Sequence, residues 1–310
     1  MANGVLRSQA EYYGDDIKYT GNVGSETNMY VIEDVYDLCA AVGQTYYYVL
    51  VDDIDFNDHD VYRYGVDGLI FGGGGNICYL RGNNHKIRNL IIKHSTTEGI
   101  FNAASVSDVI FENLIVISST VSHLFCSYRS IDITNVRIGG YMFNSASSVI
   151  LYGNNINFID CSFNLKGFTT DGVCGYAGKS SRSFTRCHIN CDITTECSDC
   201  INFDYCDVYD SCITGKIKQT GKNFASGNRN RYVANGIFYN SYFAVGATCE
   251  TEGFDGYIAP YLIANSVSFM DKELVLHIEE GTISNFYYLT TEQATDPDYL
   301  LSINFPVVAV

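Results

Sequence analysis

The sequence predicts an all-β fold: a right-handed parallel β-helix, a solenoid of about eight coils, with a short N-terminal capping helix and a C-terminal cap. Three observations carry that expectation. One strand pattern recurs along most of the chain. Gly outnumbers Pro by 28 to 3, which suits a backbone that spends its N–H groups in long ladders. Hydrophobic residues make up 46%, enough for a large core, yet every apolar run is broken before membrane-spanning length.

The pattern is read around a turn position. The series Asn89, Asn113, Asn135, Asp160, Arg186, Asp210, Asn240, Asn265 advances by 24, 22, 25, 26, 24, 30 and 25 residues. Two residues before each turn stand Ile87, Phe111, Ile133, Phe158, Phe184, Val208, Phe238 and Ile263, all apolar and strand-forming. One residue after stand Leu90, Leu114, Val136, Cys161, Cys187, Ser211, Ser241 and Ser266. Three after stand Ile92, Val116, Ile138, Phe163, Ile189, Ile213, Phe243 and Ser268. The position between these two is mixed, from Ile91 and Ile115 to Arg137, His188 and Tyr242. Strand side chains alternate faces, so the first and third positions after the turn point inward and the second points out.

For the residue two before the turn to point inward as well, the chain must bend at the turn. Asn and Asp tolerate the left-handed conformation such a bend needs, and stacked Asn side chains are expected to bond from coil to coil. In the last coil a one-residue shift would bury Val267 and Phe269 instead, so both registers stand open. A second recurrence is read as the opposite wall: Gly99-Ile100-Phe101, His123-Leu124-Phe125, Tyr141-Met142-Phe143 and Gly172-Val173-Cys174. A β-sandwich with coincidental turn spacing is the competing fold. The organisation expected is an N-terminal arm at 1–27, an N-terminal cap at 28–70, the β-helix at 71–272 and a C-terminal cap at 273–310.

The formal net charge is −16. Duplex nucleic acid and anionic membranes are therefore disfavoured as partners, because affinity for them comes from Lys and Arg. The opening Met1-Ala2-Asn3-Gly4 lacks a basic stretch followed by an apolar one, so no secretory signal is expected. In a reducing compartment the 12 Cys are then thiols.

Val35-Tyr36-Asp37-Leu38, then Tyr48-Val49-Leu50-Val51-Asp52-Asp53-Ile54-Asp55-Phe56, then Gly82-Asn83-Asn84-His85-Lys86-Ile87-Arg88-Asn89-Leu90-Ile91-Ile92 and Gly99-Ile100-Phe101 follow one another. This stretch, from Tyr30 to Phe125, resembles a GLUG-type β-helix, in which a short helix precedes a strand ending in "DID" and a G-N-x-H coil. The later coils keep only the periodicity. The tail Leu289–Leu300 resembles closing segments of such proteins, and Pro297 suits a helix start. The resemblance implies a bacterial surface protein or a phage structural or adhesion protein. Without a signal peptide the phage setting is preferred, with the virion as location and the host cytoplasm as site of synthesis.

Candidate sites follow from residue chemistry. Asp52, Asp53, Asp55, Asp58 and Asp60 open like a calcium loop, but Asp58 stands where Gly is needed and Tyr64 where Glu is needed, so a solvated turn is expected. Gly72-Gly73-Gly74-Gly75 lacks the Gly-Lys-Ser/Thr of a phosphate loop. Cys197-x-x-Cys200 is half a zinc motif. Cys161 and Cys187 share one slot on adjacent coils, which argues for buried thiols. Asp204, Asp207 and Asp210 are the candidate carboxylates for glycoside cleavage, without any further catalytic signature. Tyr209, Tyr239 and Tyr242 fall on outward slots and offer an amphipathic face to a glycan or a protein. Tyr12, Tyr13 and Tyr19 are candidate anchors of an arm that orders on docking.

The expected function is that of a non-enzymatic virion component: a capsid decoration, head-fibre or tail-adhesion protein. No catalytic residue, metal or cofactor is expected. Its partners would be other virion proteins and a host-surface glycan, with a homo-oligomer such as a trimer as the competing assembly. The alternatives are a tailspike polysaccharide depolymerase and a bacterial surface adhesin.

Overall fold

The computed structural model describes residues 6–14, 21–41, 44–58, 66–67, 78–94, 101–102, 104–118, 125–127, 129–144, 151–153, 155–169, 182–195, 199–202, 206–220, 231–234, 237–249, 257–259, 262–268, 275–276, 282–288, 292–293 and 296–303. The chain is an all-β parallel solenoid with few, short helices. Two long ladders form its first and second walls.

In the first wall Tyr48, Leu80, Val106, Ile133, Phe158, Phe184, Val208 and Phe238 stack in register, and all are buried. In the second, Ile54, Ile87, Phe111, Ile138, Phe163, Ile189 and Ile213 do the same. A third wall begins with Phe101, Phe125 and Leu151, and a separate parallel sheet joins Asp199–Asn202, Arg231–Ala234, Tyr257–Ala259 and Val275–Leu276. The walls meet in aromatic contacts. Phe158 lies 5.4 Å from Phe125, 5.5 Å from Phe163 and 4.7 Å from Phe184 between ring centroids. Burying each such ring contributes about 1.5–3 kcal/mol.

The expected bends are present. Asn135, Asp160, Arg186, Asp210 and Asn240 take φ of 51°, 55°, 52°, 49° and 49°. Arg186 adopts this conformation despite its bulk, and its guanidinium clamps Asp160 of the preceding coil through Nε at 2.6 Å and Nη2 at 2.7 Å. Asn135 donates to Asp108 at 2.8 Å and Asn240 to Asp210 at 2.9 Å, so coil-to-coil bonding runs along the corner.

Asn89 and Asn113 occupy a different corner. Thr134 pairs with Ser107, so the equivalent of Asn135 is Asp108 (φ 55°), 27 residues earlier, and not Asn113. Ile87 and Phe111 accordingly belong to the second wall. Asn89 and Asn113 form their own ladder, in which Asn113 donates to Asn89 at 3.2 Å and Asn89 to Asp55 at 2.8 Å. This corner ends in a bulge: Phe111 pairs with Ile138, but Leu114 pairs with Gly140. From Arg137–Asn144 onward the second wall is a straight strand of 8 residues in unbroken register. The two corners are spelled alike, apolar-x-Asn-apolar, and the sequence pattern merged them.

Just inside the first corner Val109, Val136, Cys161, Cys187, Ser211 and Ser241 are buried. The last four donate to main-chain carbonyls freed by the bend. Cys161 Sγ reaches Ile159 O at 3.3 Å, Ser211 Oγ reaches Tyr209 O at 2.7 Å and Ser241 Oγ reaches Tyr239 O at 3.0 Å. That is why Ser is tolerated in a core slot. The Cys161 sulfur beside it, together with burial, holds the Cys187 thiol well above the ordinary range. The expected buried thiol stack is therefore present.

Tyr141–Phe143 does not belong to the opposite wall. It lies in the second wall, paired with Ile115–Ile117, and Leu151 takes the third-wall position instead. Gly172–Cys174 lies outside the described residues. Val267 pairs with Tyr242 and Ser268 with Phe243, so the backbone keeps the unshifted register in the last repeat. The side chains of Ile92, Val116, Phe243 and Ser268 lie outside the described residues.

The short helix after Tyr30–Ile32 is Val35–Ala40 (α2), started by Asp34, whose side chain accepts from the Tyr36 and Asp37 N–H groups. Pro297–Ser302 (α3) begins with Pro behind an Asp296 cap, as expected. The reading of residues 1–27 as an undocked arm is corrected for their described part. Arg7–Ser8 pairs antiparallel with Tyr30–Val31, and Gln9–Tyr13 (α1) follows behind a Ser8–Glu11 capping box. Gln9 N donates to Met29 O at 2.9 Å. The physical reason is the exposed edge of Tyr30–Ile32, whose free N–H and C=O groups the segment satisfies.

Candidate functional site on the first wall

The outer face of the first wall presents one column that the inward stack holds in register. Tyr47, Tyr79, Ser105, Asp132, Asn157, Ser183 and Asp207 follow one another on successive strands. Beside it runs Arg81, Ser107, Thr134, Ile159, Thr185, Tyr209 and Tyr239. The Tyr47 and Tyr79 rings stack at 4.2 Å with an interplanar angle of 6°. Tyr209 and Tyr239 stack at 5.3 Å and 5°. Between the two pairs Asn157 donates to Asp132 at 2.9 Å and Ser183 to Asn157 at 3.0 Å. At about 4.8 Å per strand, the distance from Tyr79 to Asp207 is roughly 24 Å.

The N-terminal segment roofs one end of this strip. Met29, Val31 and Val49 form a small cluster with Tyr12 and Tyr47 against them. Where the roof ends, a cavity of about 350 Å³ opens, lined by Glu26, Met29, Tyr47, Tyr79, Arg81, Ser105, Ser107, Asp132 and Thr134. Burial raises the Tyr47 hydroxyl above the usual phenol range, with Tyr79 adding to it, so it is a donor at neutral pH. At the far end burial raises the Asp207 carboxyl, opposed by its bond from Tyr209. Two ring faces, two carboxylates, one guanidinium and several hydroxyls suit a polyhydroxylated ligand, since each sugar hydroxyl both donates and accepts.

Of the expected glycan contacts, Tyr209 and Tyr239 come together on this face. Tyr242 does not: it lies past the Asn240 corner in the second wall, paired with Cys212. Tyr12 is engaged within the chain. Its hydroxyl donates to Glu33 at 3.2 Å, and Arg7 sits 4.9 Å over its ring. Tyr13 is exposed, packed edge-on to Tyr12. Tyr19 lies outside the described residues. Sequence reasoning missed Tyr47 and Tyr79. The only signal was the Tyr46-Tyr47-Tyr48 run, in which alternation puts Tyr48 inside and Tyr47 out.

Asp210 is a corner residue and Asp204 lies outside the described residues, so neither joins Asp207 in a carboxylate pair within the described structure. Asp132 and Asp207 stand three strands apart, roughly 14 Å, beyond the separation that glycoside cleavage uses. In the acidic cluster, Asp53 accepts from Lys86 N at 3.0 Å and Arg88 Nη2 at 2.9 Å. Burial works against the Asp53 carboxylate, but these donors and His85 outweigh it and hold its pKa below the ordinary value. Asp55 accepts from Asn89 and Asn57, so Asp53 and Asp55 serve as joints between coils. Asp60 lies outside the described residues. Among the described residues no helix is long and apolar enough to cross a membrane.

A crystal structure from Bacteroides ovatus, described as a candidate immunoglobulin A1 protease, is similar to this chain, with a TM-score of 0.50 at 14% identity over 90% of this chain and 88% of that one. The likeness is one of fold. No family model and no curated protein matches the chain.

Proposed function

We propose that this chain is a non-enzymatic recognition protein of a phage virion, a rigid solenoid that offers its first wall to a host-surface glycan. The observation that carries the reading is the strip itself: stacked Tyr pairs at opposite ends of two adjacent outward columns, with polar side chains between them. The phage setting, as decoration, head-fibre or tail-adhesion protein, rests on the GLUG-type resemblance. The reading takes the chain from Cys78–Arg81 to Leu262–Ser268 as about eight right-handed coils. Residues 28–70 close one end; at the other the expected cap at 273–310 is corrected for its described part, since Val275–Leu276 and Thr282–Tyr288 pair in parallel with Tyr257–Ala259 and Leu262–Ser268 and so carry the ladders past residue 273. Stiffness follows from strands paired on both sides, which keeps binding groups pre-positioned and lowers the entropy lost on binding.

One observation favours a second reading, the polysaccharide depolymerase: Glu26 and Asp132 line the same cavity. The two readings separate in one experiment. Purified protein is incubated with polysaccharides from candidate hosts, and both retention on the polysaccharide and new reducing ends are measured. The proposal expects retention, no new reducing ends, and a loss of affinity of roughly tenfold or more for the Tyr47→Ala, Tyr79→Ala double variant, in line with an aromatic anchor of at least 1.4 kcal/mol. New reducing ends abolished by Asp132→Asn would establish the depolymerase instead.

A further inference from the structure

The second wall's outer face differs from the rest of the molecule. Ile117, Tyr141 and Phe143 are 42%, 45% and 47% exposed, and they are large apolar side chains on adjacent strands, Ile117 paired directly with Phe143. Partly exposed Ile115 pairs with Tyr141 and extends the patch. Arg137, on the strand of Tyr141 and Phe143, and Lys166, Lys216 and Lys218, on the strands that continue the wall, are exposed, and Asp192 stands between Lys166 and Lys216 in the ladder. This face therefore joins an apolar patch to an excess of basic residues, in a chain whose net charge is −16. Everything outside it carries the acidic excess.

We infer that this face is a self-association surface, and that its occupant is a different, acidic face of a second copy of the chain. Charge complementarity supports that occupant. The basic residues repel the same face of a copy, so a symmetric face-to-face pair is disfavoured, while any acidic face attracts them. The size suffices. Strands of eight residues at about 3.3 Å each, over five rungs at about 4.8 Å, give on the order of 600 Å² per copy, about 1,200 Å² in all, the lower end of specific interfaces. A contact between unlike faces closes into a ring when its rotation allows and otherwise extends into a filament.

Sedimentation velocity of the full chain across concentration and salt tests this. The expected result is concentration-dependent assembly at low salt that weakens as salt rises. Ile117→Thr with Phe143→Thr, which keeps strand-forming residues at outward positions, is expected to raise the dissociation constant at least tenfold. Lys166→Glu with Lys216→Glu is expected to abolish assembly, each with an unchanged circular dichroism spectrum. A wild-type chain that stays monomeric at all concentrations overturns the inference. So does assembly that both variants retain.

Discussion

Phe158→Asp abolishes the soluble fold. Phe158 is fully buried and touches rings from all three walls: Phe125, Phe163 and its own neighbour Phe184. Removing the ring alone, in Phe158→Ala, is expected to cost about 3–5 kcal/mol, because strands tied on both sides cannot collapse into the space. A carboxylate adds an uncompensated buried charge, and the total exceeds the ~5–15 kcal/mol by which a folded protein outlasts its unfolded state. Asn164→Asp, at an exposed position of the second wall, keeps the oxygen that accepts from Asn190 at 2.9 Å and should melt within about 0.5 kcal/mol of wild type. Chemical denaturation of the soluble variants, with expression yield for Phe158→Asp, checks the pair. Equal behaviour of Phe158→Asp and Asn164→Asp contradicts the register.

Deleting residues 1–14 destabilises the chain and makes it aggregate. The deletion removes the antiparallel partner of Tyr30–Val31 and uncovers Met29, Val31 and Val49, which are 3%, 1% and 3% exposed in the intact chain. It also leaves the N–H and C=O groups of an edge strand open to a second chain. About 2–4 kcal/mol is the expected loss, from partial exposure of three apolar side chains at about 25 cal/mol per Å². Thermal melting with light scattering reads both effects. An unchanged melting temperature and a clear solution would restore these residues to the role of a free docking arm.

The sequence carried the inward slots well. Apolar residues at alternate positions have no other place in a ladder, and a left-handed bend is written openly as Asn or Asp. Even Arg186 was found by its spacing, although its type gives no hint of positive φ. What misled was degeneracy. Ile87-x-Asn89 and Ile133-x-Asn135 read the same, but the first bends within the second wall and the second turns from the first wall into the second. Only the strand partners distinguish them. The N-terminal segment was misread because its Gly residues suggest freedom, while Ser8-x-x-Glu11 is a capping box that the eye passes over. The site was half legible. Tyr209 and Tyr239 follow from the repeat, but Tyr47 and Tyr79 precede the first turn position or sit outside its spacing. The cavity depends on the N-terminal roof, which no local pattern announces. Gly215 was equally silent. At φ 123° its missing Cβ leaves room for Cys191 O, with which a Cβ would clash.

The central claim is that the first wall binds a glycan without cleaving it. The chain has no Trp, so Tyr79→Trp places a single indole against Tyr47 as a reporter in the cavity. Titration of that variant with host polysaccharide, with reducing ends counted in the same samples, is the most direct measurement. The account predicts a saturable change in indole emission and a constant number of reducing ends. An emission that no host polysaccharide alters, or reducing ends that accumulate, would contradict it.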